Sequence, residues 1–380
     1  MENTQPNRVP TTSHVSLQPP AQLGYRPGLD GLRGVAILAV VAVHTGHFNS
    51  RAAFIGVDLF FVLSGFLITA LLLAEWEGAG RISLGRFYLR RALRLLPALI
   101  AMLVAVMAYT WMSAPPDTTL AVSLDALIAL FYASNWALAA GFHQPNRFGH
   151  AWSLSIEEQF YLCWPLILIF LRRRTHSGRS MLNWVWLGVV VAILLRGLLA
   201  VTGASGYRIF YGTDTRADAL LLGCALGVAF SFGLLPRCEV GQSSRWECRL
   251  IEWSAYGAGL GLVWLSFHTG FSYEFDLSVV YTLISLFSAL ILLEVIVSSL
   301  GALNRFLSQP WLVYMGKISY GLYLWHYPVF GAVQEQKWPL LMELFAETAF
   351  TGIAVLASYY LLERPLLRLK GRFAGMAPRS

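Results

Sequence analysis

Apolar residues in this chain come in long runs, and polar residues collect in the connectors between them. Eleven runs can be marked, near residues 33–49, 55–75, 95–112, 121–141, 156–171, 181–203, 216–235, 251–268, 278–300, 311–333 and 344–362. A helix needs roughly 20 residues to cross about 30 Å of hydrocarbon, so every run is plausible as a transmembrane helix, some only just. The strongly basic connectors are RISLGRFYLRRALR at 81–94, RRRTHSGR at 172–179, the loop at 237–249 and the tail from Arg364. Connectors of this kind concentrate on the cytoplasmic side, so an even number of spans must separate each consecutive pair. Three intervals obey. The fourth, between Arg94 and Arg172, holds three runs, and the odd one is 121–141, which carries Asp125 and Asn135. The pattern therefore predicts an all-α polytopic transmembrane bundle of about ten spans. Residues 121–141 are expected to form a partial or re-entrant helix on the outer side, a backbone tolerated at membrane depth only where protein or a water-filled cavity surrounds it. The alternative is eleven ordinary spans with one arginine cluster outside.

Composition excludes other classes. Of 380 residues 56% are hydrophobic and 13% charged, the latter about half the usual ~25% of a soluble domain. A water-soluble enzyme, a disordered chain and a nucleic-acid module are ruled out, and the net charge of +7 is what basic cytoplasmic loops produce without any nucleic acid. Residues 1–24 lack the apolar run of a signal peptide and are expected to be a disordered cytoplasmic tail. Residues 25–366 are expected to be the membrane domain and 367–380 a basic cytoplasmic tail, which puts both termini inside the plasma (inner) membrane. The four cysteines have no zinc spacing, and nothing suggests a metal. Cys238 and Cys248 share one basic loop assigned to the reducing side and are expected to be free thiols. No internal repeat is visible, which weakens an inverted-repeat transporter reading.

Ionisable groups inside the apolar runs are functional candidates by default, because each costs about 2.5–3.5 kcal/mol to insert. Arg33 and His44 in the first run are eleven residues apart, so they lie on one helix face with a rise of about 16 Å between them. His44 suits proton abstraction. Asp58 opens the next run and is close enough in sequence to reach His44 and fix its tautomer; stabilising a helix N-terminus is its other reading. Arg86, Arg90 and Arg94 recur every four residues and form a stripe flanked by Arg91, either positive-inside residues or a polyphosphate site. On the outer side HAWSLSIEEQFY places Trp152 and Ser153 before Glu157 and Glu158; Ser153 and Glu157 could form a helix cap. Asp214, Arg216 and Asp218 cluster at another outer helix start, either as a structural Asp218–Arg216 pair or as part of a cavity for a hydroxylated ligand. In the late run SYGLYLWHYPV, Ser319, Tyr323 and His326 share one face.

In this order, YRPGLDGLRGVAILAVVAVH, GVDLFFVLSGFLI, RFYLRRALRLLP, HAWSLSIEEQFY, DTRADALLLG, SYGLYLWHYPV and the closing ERP resemble the acyltransferase-3 family of integral membrane O-acyltransferases. The resemblance runs from about Tyr25 to Pro365. It implies transfer of an acyl group, usually acetyl, from cytoplasmic acyl-CoA to a hydroxyl presented across the membrane, as in bacterial enzymes that acylate O-antigen, exopolysaccharide, peptidoglycan and macrolide sugars. Carried onto this chain, it implies catalytic roles for His44, Asp58 and Glu157. Arg33, Arg86, Arg90, Arg91 and Arg94 would hold the CoA, and Trp152, Ser153, Asp214, Arg216, Asp218, Tyr323 and His326 would meet the acceptor. The expected partners are acyl-CoA as donor substrate with no permanently bound cofactor, a carbohydrate or glycolipid acceptor, and membrane lipid. Many relatives carry a further extracytoplasmic SGNH domain. This chain stops soon after its last run, so it either finishes the transfer itself or hands the acyl group to a separate extracytoplasmic transferase. His44 would deprotonate the acceptor or pass through an acyl-imidazole; the sequence leaves both open. The competing class is a glycolipid or solute transporter with a proton relay.

Overall fold

Each apolar run of the sequence coincides largely with helix, among the residues that the computed structural model describes: 24–47, 52–142, 147–175, 177–236, 238, 246–267, 274–298 and 301–366. The expected tails at 1–24 and 367–380 lie, apart from residue 24, outside the described residues. Helices α1 (Pro27–His44), α2 (Ala52–Ala79) and α3 (Leu84–Ser113) are followed by α4 (Pro116–Leu130) and α5 (Ser134–Ala139). Next come α6 (Ala151–Arg174), α7 (Gly178–Val201), the short α8 (Gly206–Tyr211), α9 (Ala217–Ser231), α10 (Trp246–Phe267) and α11 (Glu274–Val297). The chain closes with α12 (Ala302–Leu307), α13 (Pro310–Lys317), α14 (Ser319–Gln334) and α15 (Leu340–Ala357), the last continued by a π-helical turn, Ser358–Glu363. Helix starts follow local chemistry. Pro27, Pro116 and Pro310 open their helices, where a missing N–H costs nothing. Ser177 and Ser205 cap α7 and α8 by accepting from the Ser180 and Arg208 amides, satisfying donors that the helix itself cannot.

Seven of the helices (α1, α2, α3, α6, α7, α11 and α15 with its extension) are long and apolar enough to cross a membrane. Their outward side chains are those that water would reject: Val104, Trp111, Leu166, Leu187, Leu194, Phe345, Ile353 and Leu361 are all exposed, and a surface of this kind needs lipid around it. The chain is a multi-pass membrane protein.

Contacts assign the helix ends to two sides. Arg26, before α1, donates to the Ile296 carbonyl at the end of α11 (2.5 Å) and lies over Phe230 at the end of α9. Arg172 at the end of α6 pairs with Glu77 of α2 (2.9 Å) and lies over Phe232. Lys317, before α14, lies over Tyr25. These ends form one basic side. His44, at the other end of α1, accepts at its carbonyl from Gln334 at the far end of α14 (3.1 Å). The alternation fits the even parity read from the basic connectors.

Residues 121–141 do not make one crossing helix. The chain breaks between α4 and α5, where Tyr132 takes φ 53°. Asn135 is buried beyond the break and donates to the Tyr211 carbonyl (3.0 Å) and to Thr213 Oγ1 (2.9 Å), while its own oxygen accepts from Gln159 (2.9 Å). A short helix ending on such partners is enclosed by protein, as a partial element must be.

Small residues set a close contact between α2 and α9. A Cβ added at Gly65 of α2 would sit 1.9 Å from the Leu220 carbonyl oxygen, and one at Gly223 of α9 would sit 2.0 Å from that of Val62. The two backbones therefore touch, the packing mode that membrane helices use in place of a hydrophobic driving force. Beside this contact four charges are buried together. Arg216 donates to Asp58 (2.5 Å), Arg196 donates to both oxygens of Asp218 (2.8 and 2.7 Å), and Arg196 also reaches the Thr215 carbonyl and Thr282. All four side chains are at most 1% exposed. They lock α2, α7, α9 and α11 to one another.

One expectation is overturned. Cys238 and Cys248 form a disulfide, their Cα atoms 5.8 Å apart, so they are not free thiols. The first turn of α10 turns Cys248 back onto Cys238, a proximity that loop composition does not reveal. Cys163 and Cys224 are free.

Candidate active site

A cavity of about 1000 Å³ opens at the basic side between α1, α2, α3, α6 and α14. Its wall contains Arg33, Arg86, Arg90, Arg91 and Arg94, the five arginines singled out in the sequence. They share this wall because α3 presents its arginine stripe to α1, whose Arg33 also lines the cavity. Carboxylates balance only part of the charge. Glu75 accepts from Arg86 and Arg90 at 3.4 Å each, a loose arrangement. Glu158 holds Arg91 at 2.8 Å, and the Arg91 guanidinium lies 3.3 Å from the centre of the Tyr161 ring. Arg33 donates to Ser319 Oγ (3.2 Å). Among the described residues neither Arg33 nor Arg94 has a carboxylate within 4.0 Å. Cations only partly balanced by carboxylates around a roomy cavity make an anion site, and arginine suits phosphate.

Above the cavity the space narrows to a throat of about 60 Å³ that shares Arg33, Leu154, Glu157 and Tyr320 with it. Phe60 and Phe61 form the apolar side of the throat; Ser64, Ser153, Glu157, Ser319 and Tyr323 form the polar side. Glu157 accepts from Ser64 and from the Tyr161 hydroxyl (2.5 Å). Tyr323 donates to the His150 carbonyl (2.6 Å), so its oxygen accepts from Ser153. Ser153 thus lies inside α6, bonded to α14, and α6 has no side-chain cap; the cap expected from Ser153 and Glu157 is not formed.

Beyond Tyr323 lies a cluster of rings. His326 is 5.8 Å from Tyr323 and 5.0 Å from His44, centre to centre. His150 is 5.8 Å from His326 and stacks on Tyr327 at 4.8 Å, and Tyr327 is 5.4 Å from His44. Both His44 and His326 place Nδ1 against the carbonyl four residues earlier, Val40 (2.8 Å) and Leu322 (2.9 Å). A carbonyl only accepts, so Nδ1 carries the hydrogen in both rings and Nε2 keeps the lone pair. Helix geometry alone fixes the tautomer that a base or nucleophile needs. On the far side Tyr327 also lines a pocket of about 220 Å³ with Thr118, Arg147 and Glu335.

The structure brings together Arg33, the α3 arginines, Glu157, Ser153, Tyr323, His326 and His44. It does not bring Asp58 to His44: the Asp58 carboxylate is taken by Arg216, and the His44 tautomer is set by Val40. The expected Asp218–Arg216 pair is exchanged for Asp218–Arg196 and Asp58–Arg216. Asp214 pairs with Arg208 (2.9 and 2.5 Å). None of Asp58, Asp214, Arg216 and Asp218 lines the cavity, the throat or the far pocket. Trp152 packs against Phe61, Phe210 and Tyr211 rather than facing these spaces. Sequence reasoning missed His150, Tyr327 and the role of Glu158. His150 opens HAWSL but precedes the apolar run, so no insertion penalty drew attention to it.

A multi-pass helical membrane bundle with an arginine-lined cavity on one side, and a throat leading from it toward a buried pair of histidines, suits an anionic substrate arriving from one side. The chain belongs to the acyltransferase domain family, whose model matches residues 26–363. It is 34% identical to the peptidoglycan O-acetyltransferase OatA of Listeria monocytogenes over 90% of this chain and 56% of the relative. It is 32% identical to the O-acetyltransferase OatA of Staphylococcus aureus, over 91% of this chain and 58% of the relative. The chain thus spans a little over half the length of these relatives. No solved structure matches it.

Arginine substitutions test the anion site. Replacing Arg33 or Arg94 by alanine is expected to weaken binding of a polyphosphate probe such as pyrophosphate about 10- to 100-fold, the worth of a charged hydrogen bond, as measured by calorimetry on detergent-purified protein. Arg86→Ala is expected to cost less, because Glu75 already engages that side chain.

Proposed function

We propose that this chain is a membrane O-acyltransferase that moves an acyl group, acetyl in the first instance, from acyl-CoA to a hydroxyl of a cell-envelope glycan or glycolipid. One observation carries the reading: the arginine-lined cavity narrows into a throat lined as far as Tyr323, and behind Tyr323, 5.8 Å ring to ring, stands His326 with His44 5.0 Å beyond it. CoA phosphates rest on the arginines, and the pantetheine arm, on the order of the 16 Å rise from Arg33 to His44, occupies the throat with the thioester leading. The basic side is cytoplasmic by its arginines, and acceptors approach by the far pocket. His44, half-buried at the outer end of α1, takes the proton from the acceptor hydroxyl, a role worth about 10²–10⁴-fold in rate. Glu157, held by Ser64 and Tyr161, lines the throat beside the arm.

The test is incubation of purified protein with labelled acetyl-CoA and chitotriose as a model acceptor. Release of CoA with acetylated sugar supports an acyltransferase. Intact acetyl-CoA in every condition, with binding retained, points instead to a transporter, and mass spectrometry of surface glycans with and without the protein then identifies the natural acceptor or finds none.

A further inference from the structure

The face of α14 that lines the throat does not end at Tyr323. Ser319, which holds Arg33, and Tyr323 both line the throat, and His326 follows on the same face, seven residues and about 10 Å of rise beyond Ser319. His44 lies eleven residues beyond Arg33 on α1, at a rise of about 16 Å. The throat lining stops at Tyr323, and His326 is the next ring, 5.8 Å from it, with His44 a further 5.0 Å on, so of the two histidines His326 stands nearer the throat. The two rings also differ in surroundings. His326 is 0% exposed and its Nε2 has no hydrogen-bond partner among the described residues. His44 is only partly buried and lies beside Tyr327, which lines the far pocket. Two imidazoles thus stand 5.0 Å apart, His326 beside Tyr323 of the throat and His44 beside Tyr327 of the far pocket.

Resting on the acyl-CoA reading above, we propose that His326 is the acyl carrier and His44 the base, so that transfer runs through an acyl-imidazole on α14. In the first step His326 Nε2 forms a bond to the thioester carbonyl carbon, the C–S bond breaks and CoA leaves as thiolate. Nδ1 keeps its hydrogen on the Leu322 carbonyl, so the acylated ring is cationic and a strong acyl donor. In the second step the acceptor oxygen bonds to that carbon while His44 Nε2 takes its proton, and the C–N bond breaks to restore neutral His326. His44 then releases the proton to water at its end, and the thiolate takes one up from the basic side. The dry setting of His326 protects the acylated ring from hydrolysis better than the partly buried His44 would.

A covalent carrier predicts exchange of labelled CoA into acetyl-CoA with no acceptor present, the signature of a ping-pong enzyme. Wild-type protein and His44→Gln are expected to exchange within about threefold of one another, because the first step does not use His44, whereas His326→Gln is expected to fall below about 1%. With chitotriose, His44→Gln loses transfer by about 10²-fold or more, yet hydroxylamine, a nucleophile that needs no base, still yields acetyl hydroxamate. Exchange by wild-type protein needs no variant to fold, so it tests the carrier even if His326→Gln aggregates. Sugar transfer by wild-type protein without CoA exchange overturns the proposal, as does exchange that survives in folded His326→Gln or is lost equally in His44→Gln. Acetyl-CoA left intact by wild-type protein under all conditions removes the acyl-CoA reading itself, and this proposal with it.

Discussion

His44→Gln is expected to reduce acyl transfer to a sugar hydroxyl by about 10³-fold, within the range that loss of a positioned base gives, while CoA binding stays within about twofold. The physical grounds are local. Glutamine is close to histidine in size and its amide N–H can still donate to the Val40 carbonyl, so the last turn of α1 keeps its hydrogen bond. What disappears is the basic nitrogen lone pair facing His326 and Tyr327. The phosphate-binding arginines are unaffected, since Arg33 lies about 16 Å away along the helix and the α3 arginines line the cavity at the basic side. Radiolabelled transfer and calorimetry on the same purified sample separate the two effects. Near-normal turnover in the variant would end the assignment of His44 as base.

Asp58→Asn is expected to act on folding and to spare chemistry. Asp58 is 0% exposed and its partner Arg216 is 1% exposed. Neutralising the carboxylate leaves a buried guanidinium in the same cluster as Arg196. Breaking such a pair from one side typically costs about 3–5 kcal/mol, most of it from the charge left behind. The protein is expected to lose monodispersity in detergent at a markedly lower temperature than wild type. The double variant Asp58→Asn, Arg216→Met removes both charges and is expected to recover most of that loss. Turnover per folded molecule is expected to stay within a fewfold in both variants, because Val40, not Asp58, fixes the His44 tautomer. If Asp58→Asn folds normally but turns over 10³-fold more slowly, Asp58 acts on His44 after all.

The two predictions divide residues that the sequence grouped together. An intramembrane charge announces itself by its cost, and that signal found Arg33, His44, Asp58, Arg216, Asp218 and His326 without ranking them. Cost is paid alike by a catalytic imidazole and by a structural pair, so the sequence could not say that Asp58 belongs to Arg216 or that Asp218 belongs to Arg196. The arginine stripe was legible because its spacing is a property of one helix. Its convergence with Arg33 on one cavity is not, since α1 and α3 are placed by their neighbours. His150 escaped because it precedes its helix, and the Cys238–Cys248 bond escaped because it depends on where α10 begins.

By itself the sequence determined the helical class, the side on which the basic residues gather, the interruption at 121–141 and the same-face pairs Arg33–His44 and Ser319–His326. These follow from run length, charge and the 3.6-residue turn, which act within single elements. The tertiary structure alone decided which charges neutralise one another, which arginines remain open to an anion, and that two histidines from the first and fourteenth helices meet at 5.0 Å. Such facts depend on the packing of helices far apart in the chain, where close contact is set by small residues such as Gly65 and Gly223 and no periodicity records the partner.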